Sequence, residues 1–329
     1  MSRSLRVGLC YDRFGDAPAP PGAPPDWDAE YEPEETVAAL EAALQRLGHM
    51  PVRIGNAQAL LAAMGEGPLL LDAALTIAES YGSRNREAHV PVLLELAGVP
   101  CIGSDALALS VSLDKHLTKT VVAAAGGAVP TGVVVGLGQD AAEVAAGLPF
   151  PLMVKPRYEG TAKGITRSSR CETTKALRAE AARQHALYRQ DVVVEAFVDG
   201  SEFTVGVVGT GAGARALPPL QRAIEPVSGI GVHALPGDPD FVVEGDLSTD
   251  LDRALAEAAL LAHRALECRD FSRSDFRVGA DGVPVFIEIN PLPTFAPDGT
   301  FAILAELDGQ PYDAFLADVL GAALRRALG

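Results

Sequence analysis

The chain has 329 residues, of which 48% are hydrophobic and 21% charged, and its formal net charge is −16. This composition predicts a folded protein of two or three domains and excludes a largely disordered chain. The negative charge argues against nucleic acids and anionic membranes as partners, because both are bound through basic patches. No apolar run is long enough to span a bilayer, and the start lacks the apolar core of a signal peptide. The four cysteines form no CxxC pair, so we expect reduced thiols in a cytoplasmic protein.

The first third of the chain alternates predicted strands and helices. A buried strand is expected at residues 5–10 and an amphipathic helix at 34–47, and the alternation continues to residue 97. This βαβα order predicts a parallel sheet flanked by helices, with ligands at the carboxyl ends of the strands. A proline-rich loop, DRFGDAPAPPGAPPDWDAEYEPEE (residues 12–35), follows the first strand and would overhang that crevice as a lid. A disordered surface insertion is the alternative.

The remaining two thirds predict mixed α+β structure. A helix is expected at 112–125, and a small unit with a helix capped at Thr173 or Thr174 follows it. Strands of this unit are expected at 132–135, 152–155 and 192–197. Further strands at 203–209 and 214–220, a helix near 250–266, a hairpin and a helix at 313–328 complete the chain. We therefore divide the chain into residues 1–111, 112–198 and 199–329.

Residues 273–290, RSDFRVGADGVPVFIEIN, predict a β-hairpin. Asp281-Gly282 signals a two-residue turn, because glycine tolerates the positive φ that such a turn requires. The resulting register pairs Asp275 with Glu288 and Arg273 with Asn290. Alternation along the second strand separates two faces, with Phe286, Glu288 and Asn290 on one and Val285, Ile287 and Ile289 on the other.

This hairpin is a candidate metal site. The carboxylates of Asp275 and Glu288 would repel each other across the strands unless a cation lay between them. Together with Asn290 they offer oxygen ligands, which suit Mg²⁺ or Mn²⁺ rather than zinc. The alternative is a solvated sheet face.

Two further segments carry candidate binding groups. Residues 159–164, EGTAKG, follow a predicted strand, and their small residues let backbone N–H groups approach an anion beside Lys163. A plain surface turn is the alternative, since neither a Walker A loop nor a GxGxxG fingerprint is present. At the end of a later strand, Glu195, two backbone edges and Glu202 seven positions on form a set of groups that suits an adenine amino group and a ribose.

Taken together, these motifs occur in a specific order: DKHLTK, VKPRYEGTAKGI, VVVEAFVDGSEFTV, RSDF and FIEINPLP. This order resembles the ATP-grasp superfamily, and within it the D-alanine–D-alanine ligase-like branch. The resemblance covers roughly residue 78 to the C-terminus. It implies an ATP-grasp fold of class α/β and α+β. Residues 1–111 would form an N-terminal parallel α/β (pre-ATP-grasp) domain on the substrate side, and 112–198 and 199–329 two α+β subdomains, the last with the metal site.

The resemblance also implies roles for individual residues. Lys115 and Lys155 match the lysines that hold the α- and β-phosphates of ATP. The flexible phosphate-covering loop corresponds to Glu159, Gly160, Thr161, Lys163 and Gly164. Glu195 matches the residue at the adenine amino group, with backbone contacts from Ala196, Phe197 and Val198, and Glu202 matches the ribose-binding acid. Asp275, Glu288 and Asn290 match the ligands of two Mg²⁺ ions, for which Mn²⁺ substitutes, and Arg273 matches the arginine that stabilises the developing oxyanion.

The implied function is an ATP-dependent carboxylate–amine ligase that works through an acyl phosphate. Departures from the family pattern lie at the substrate end. The GG-x-S-x-E signature that grips the first D-alanine is absent, and Glu32, Glu34 and Glu35 are more typical of helix-surface charge than of a replacement. The family's Tyr-x-x-Lys-Tyr lid has no match between residues 218 and 236. Thr294 stands where a glycine normally opens space for the second substrate.

These departures favour amino-acid-like small molecules other than D-alanine as substrates. An intramolecular ligase that cyclises one small substrate is the first alternative, and a non-catalytic nucleotide-binding homologue is the second. The resemblance leaves a homodimer open, and no nucleic-acid or membrane partner is expected.

Overall fold

The structure is a computed structural model that describes residues 3–235 and 247–329 and contains three β-sheets. The first sheet is parallel, with strand order β2-β1-β3-β4. Its strands are β1 (Arg6–Tyr11), β2 (Met50–Gly55), β3 (Ala73–Ile77) and β4 (Cys101–Ile102). The helices of this part are α1 (Glu34–Arg46), α2 (Ala57–Glu66), α3 (His89–Leu96) and α4 (Ala106–Leu113). The predicted parallel α/β unit is therefore confirmed.

The second sheet is antiparallel, with strand order β5-β8-β6-β7. Its strands are β5 (Gly132–Val135), β6 (Leu152–Pro156), β7 (Arg170–Cys171) and β8 (Val192–Ala196). The helices of this part are α5 (Lys115–Ala124), α6 (Ala141–Val144) and α7 (Thr174–Tyr188). Thr173 caps α7, since its hydroxyl accepts a hydrogen bond from the N–H of Ala176, as the sequence predicted.

The third sheet is also antiparallel, in the order β10-β9-β12-β13, with β11 paired to β9. Its strands are β9 (Ser201–Val208), β10 (Arg215–Ala216), β11 (Leu220–Arg222), β12 (Phe271–Val278) and β13 (Pro284–Asn290). The helices are α8 (Thr249–Ala265), α9 (Thr300–Leu307) and α10 (Tyr312–Leu328). Among the described helices, none combines the length and apolarity needed to cross a membrane.

The C-terminal helix joins the two ends of the chain. Phe315 and Leu320 of α10 lie in one buried cluster with Val7 and Leu9 of β1 and with Leu40 of α1. Burial of this apolar surface fixes the first sheet against the last part of the chain. The division at residues 111 and 198 stays a prediction, and it takes no account of this packing.

Two predicted elements are broken in the structure. The helix expected at 112–125 is two helices that meet at Asp114, whose carboxylate accepts hydrogen bonds from the N–H groups of His116 and Leu117 at 3.1 Å each. This cap starts α5 and places residue 111 inside α4. The strand expected at 214–220 is split because Pro218 and Pro219 have no N–H groups for a sheet ladder.

The predicted two-residue hairpin turn is wrong, although the predicted pairings of Asp275 with Glu288 and of Arg273 with Asn290 are right. Strand β12 ends at Val278 opposite Pro284, so five residues connect the strands. A bulge then places Phe276 opposite Phe286 and Asp275 opposite Glu288. The bulge also reverses the predicted face of Phe286, which is buried in the core with Ile289 and not beside Glu288.

Candidate active site

A cavity of about 400 Å³ is lined by all three parts of the chain. Its walls are formed by strands β6 and β8 of the second sheet, strands β12 and β13 of the third sheet, and the proline-rich loop that follows β1. All but two of the predicted site residues line this cavity, and the two exceptions are Gly160 and Gly164. The size suits a small-molecule site.

The predicted metal ligands lie together on the cavity wall. Arg273 Nη2 is 3.1 Å from Asp275 Oδ2, and Thr204 donates to the other oxygen of Asp275 at 2.6 Å. Lys115 Nζ is 3.3 Å from Glu288 Oε2. Burial opposes ionisation of Glu288, but the charges of Lys115 and Lys155 outweigh it and lower the pKa of Glu288 to about 2.

This arrangement fits a hard divalent cation. Two carboxylates and the amide of Asn290 present oxygen donors to one cavity, without a histidine or thiol among them. Asn290 Oδ1 accepts a hydrogen bond from the N–H of Leu292 at 2.8 Å, which fixes the amide. Bound there, Mg²⁺ would neutralise phosphate charge. The metal role of these residues stays a prediction.

Glu195 lies between two lysines. Its carboxylate is buried, with Lys119 Nζ at 2.8 Å from one oxygen and Lys155 Nζ at 2.9 Å from the other. Burial opposes ionisation, but Lys119 and Lys155 lower the pKa of Glu195 to about 2. The carboxylate therefore fixes the two lysines. The adenine contacts expected from the backbone of residues 196–198 stay a prediction. Lys119 had no predicted role, although DKHLTK places it one helical turn after Lys115.

We expect Lys155→Ala to weaken ADP binding in the presence of Mg²⁺ by about tenfold or more, the range expected for a charge-assisted hydrogen bond. Isothermal titration calorimetry measures this affinity. Lys175→Ala is the matched control, because Lys175 is exposed on α7. An affinity equal to that of the wild type would remove Lys155 from the nucleotide site.

The predicted ribose-binding acid is held in place by two basic side chains. Glu202 Oε2 lies 2.6 Å from Arg277 Nη2, and Oε1 lies 3.4 Å from His233 Nε2. The Arg277 guanidinium also stacks on the ring of Phe197, 5.4 Å from its centroid. Glu202, Phe197 and His233 all line the cavity, as do Ala196 and Val198.

The proline-rich loop covers the glycine-rich segment. Glu30 Oε1 accepts a hydrogen bond from the N–H of Gly160 at 2.7 Å, and Asp26 Oδ2 accepts one from Gly164 at 3.1 Å. Lys163 Nζ lies 2.5 Å from Glu30 and 2.5 Å from Glu159. The N–H groups predicted to approach a phosphate therefore bind the chain's own carboxylates here. The phosphate-covering role of residues 159–164 stays a prediction.

Glu32 corrects the expectation of helix-surface charge. It is buried in the cavity wall, and its Oε2 accepts hydrogen bonds from Thr36 at 2.8 Å and from Thr294 at 3.0 Å. By contrast, Glu34 pairs with Arg13 and Arg53 on the surface, as expected for helix-surface charge. Glu32 and Thr294, from opposite ends of the sequence, thus meet at one point of the cavity.

Sequence comparisons identify relatives. The family model of the D-alanine–D-alanine ligase C-terminus matches residues 136–321. A D-alanine–D-alanine ligase of Cupriavidus taiwanensis is 32% identical over 245 residues, which cover 74% of this chain and 73% of the relative. An uncharacterised protein of Sinorhizobium fredii is 27% identical over 342 aligned residues, which cover 97% of this chain and 94% of that protein.

Solved structures show the same fold. A Bacillus anthracis D-alanine–D-alanine ligase complexed with ATP superposes with a TM-score of 0.74 at 20% identity, covering 98% of this chain and 99% of that one. The VanG D-Ala:D-Ser ligase of Enterococcus faecalis gives a TM-score of 0.75 at 18% identity, covering 98% and 100%. With the family match and the identity to the Cupriavidus enzyme, these findings show that the chain belongs to the D-alanine–D-alanine ligase family of ATP-grasp enzymes, which are ATP-dependent ligases that form C–N bonds.

Proposed function

We propose that this protein is an ATP- and Mg²⁺-dependent ligase that joins a carboxylate to an amine through an acyl phosphate, on an amino-acid-like substrate other than D-alanine. One observation carries the proposal. Arg273, Asp275, Glu288 and Asn290 face the same cavity as Lys155, so phosphate-binding, metal-binding and oxyanion-stabilising groups converge there.

The chemistry follows from these groups. A substrate carboxylate oxygen attacks the γ-phosphorus of ATP, the bond to the bridging oxygen breaks, and ADP leaves. An amine nitrogen then attacks the acyl carbon, phosphate departs, and the nitrogen loses a proton. Lys115 and Lys155 bind phosphate oxygens, and Arg273 stabilises the oxyanion of the tetrahedral intermediate. The proline-rich loop is held over the glycine-rich segment by the ion pair of Glu30 with Lys163. It limits access of water, which would hydrolyse the acyl phosphate.

The substrate end supports a substrate other than D-alanine. The hydroxyl of Thr294 donates to Glu32, so these two side chains fill space and place a carboxyl in the cavity wall. Burial raises the pKa of Glu32, while hydrogen bonds from Thr36 and Thr294 oppose this shift. The Glu32 carboxyl therefore favours a substrate that presents a hydrogen-bond donor at this position, and it disfavours one that presents a carboxylate there.

A substrate screen tests the proposal. We expect ATP-dependent phosphate release with at least one amino acid, alone or with a second amino acid, at a rate at least about tenfold above that with D-alanine alone, since losing a single polar contact changes discrimination by that order. Mass spectrometry of the product distinguishes an intermolecular amide from a cyclised substrate.

Two outcomes would contradict the proposal. Fastest release with D-alanine alone would overturn the substrate assignment. Tight ATP binding without phosphate release for any amino acid would overturn the ligase assignment and favour a nucleotide-binding homologue. Arg273→Met is the negative control for release, because Arg273 has no counterpart in simple nucleotide binding.

A further inference from the structure

One buried carboxyl group in the cavity has no hydrogen-bond or ion-pair partner among the described residues. Glu79 follows the carboxyl end of β3 and has only 6% of its surface exposed, yet it lines the cavity. Its side chain has no hydrogen bond or ion pair with any residue of 3–235 or 247–329. A buried carboxyl without a partner is costly, and such groups commonly serve a ligand.

Around Glu79, three carboxylates share two cations, Arg86 and Lys163. Carboxylate oxygens of Glu30, Glu79 and Glu87 lie within 4.8 Å of one another. Arg86 binds both oxygens of Glu30 at 2.7 Å and lies 3.8 Å from Glu87. Lys163 also binds Glu30. The cations of this cluster are thus directed at Glu30, and Glu79 is left to face the cavity.

The position is that of a ligand site in a parallel sheet. Ligands of such sheets bind beyond the carboxyl ends of the strands, and Glu79 lies two residues past the end of β3, next to β1. Burial raises the pKa of Glu79, the neighbouring Glu87 and Glu30 raise it further, and the charges of Arg86 and Lys163 offset these effects only in part. A cation arriving from the cavity would relieve both effects.

We propose that Glu79 binds a positively charged nitrogen of the substrate, either an α-ammonium group or a basic side chain. The inference rests on the proposed ligase function, whose substrate it describes more closely. A nitrogen cation is favoured over a metal ion, because the Arg86 guanidinium already occupies the cluster and a divalent ion would need about six oxygen ligands. One ammonium group needs only one or two carboxylates.

Calorimetric binding of simple probes tests this site. The wild type, saturated with ADP and Mg²⁺, is titrated with D-alanine, L-alanine, γ-aminobutyrate and propionate. We expect Glu79→Gln to weaken binding of at least one nitrogen-bearing probe by about tenfold or more, with propionate unaffected, since a charged hydrogen bond is lost. A loss confined to alanine identifies an α-ammonium site, and a loss confined to γ-aminobutyrate identifies a site for a basic side chain.

Glu95→Gln is the matched control, because Glu95 is exposed on α3 of the same part of the chain. Glu79→Gln is expected to leave ADP affinity unchanged and the free energy of unfolding unchanged or higher, since an unpartnered buried carboxyl contributes no stability. The proposal is overturned if the wild type binds no nitrogen-bearing probe, if Glu79→Gln binds all of them normally, or if the substitution removes one bound Mn²⁺. Failure of the ligase function itself would appear separately, as absent ADP binding or absent phosphate release in the substrate screen.

Discussion

Glu288→Gln is expected to lower turnover by at least about 100-fold, because it removes a negatively charged ligand from the site where phosphate charge must be stabilised. In the structure this carboxylate is 3.3 Å from Lys115 and lies opposite Asp275. The substitution preserves the shape of the side chain, so the fold is expected to persist. Steady-state phosphate release, with the substrate found by screening, measures the effect.

Glu306→Gln is the control for this variant. Because Glu306 is exposed on α9, this substitution is expected to leave turnover unchanged. Titration with Mn²⁺ followed by electron paramagnetic resonance separates a metal role from a purely electrostatic one. Turnover within tenfold of the wild type, together with normal Mn²⁺ binding, would mean that Glu288 is not a metal ligand.

The hairpin shows how far sequence patterns reach. Local pairing rules correctly placed Asp275 opposite Glu288. They missed the longer turn, which shifts the strand pairing by one residue, and the bulge near Ile287, which shifts it back. The two shifts cancel, so the predicted pairing holds at Asp275 and Glu288. A bulge depends on packing against other elements, and here Phe286 and Ile289 are buried in one core. No residue type in the sequence predicts such a bulge.

The missed site residues depend on contacts between distant segments. Glu32 meets Thr294 across 262 positions, and Asp26 meets Gly164 across 138. Such contacts follow from tertiary packing, which neither hydrophobic periodicity nor turn chemistry specifies. Glu79 could have been predicted from the sequence as a site residue, because an acid just past the end of a strand in a parallel sheet lies where ligands bind. The ordered motifs gave the family and most of the cavity lining, whereas the partners of each charge required the structure.

Glu195→Gln is expected to lower the free energy of unfolding by about 3 kcal/mol, because it leaves the charges of Lys119 and Lys155 without their buried counter-ion. Urea denaturation at neutral pH measures the change. The pKa of Glu195 is about 2 in the folded chain, against an ordinary value of 4.5. The ion pairs therefore stabilise the fold fully above pH 4.5, and the stabilisation is lost as the pH falls towards 2. The difference between variant and wild type should narrow in that window.

A second substitution tests whether the carboxylate acts on the lysines or on the nucleotide. Lys119→Met in the Glu195→Gln background removes one unpaired buried cation, so the double variant should be more stable than Glu195→Gln alone. Glu143→Gln is the control, since Glu143 is exposed on α6. Equal stabilities of Glu195→Gln and Glu143→Gln, with weaker ADP binding for Glu195→Gln only, would contradict this account and return Glu195 to the adenine amino group. Because Lys155 lies on the same carboxylate, a folded Glu195→Gln variant should also bind ADP less tightly, through a lysine that is no longer held in place.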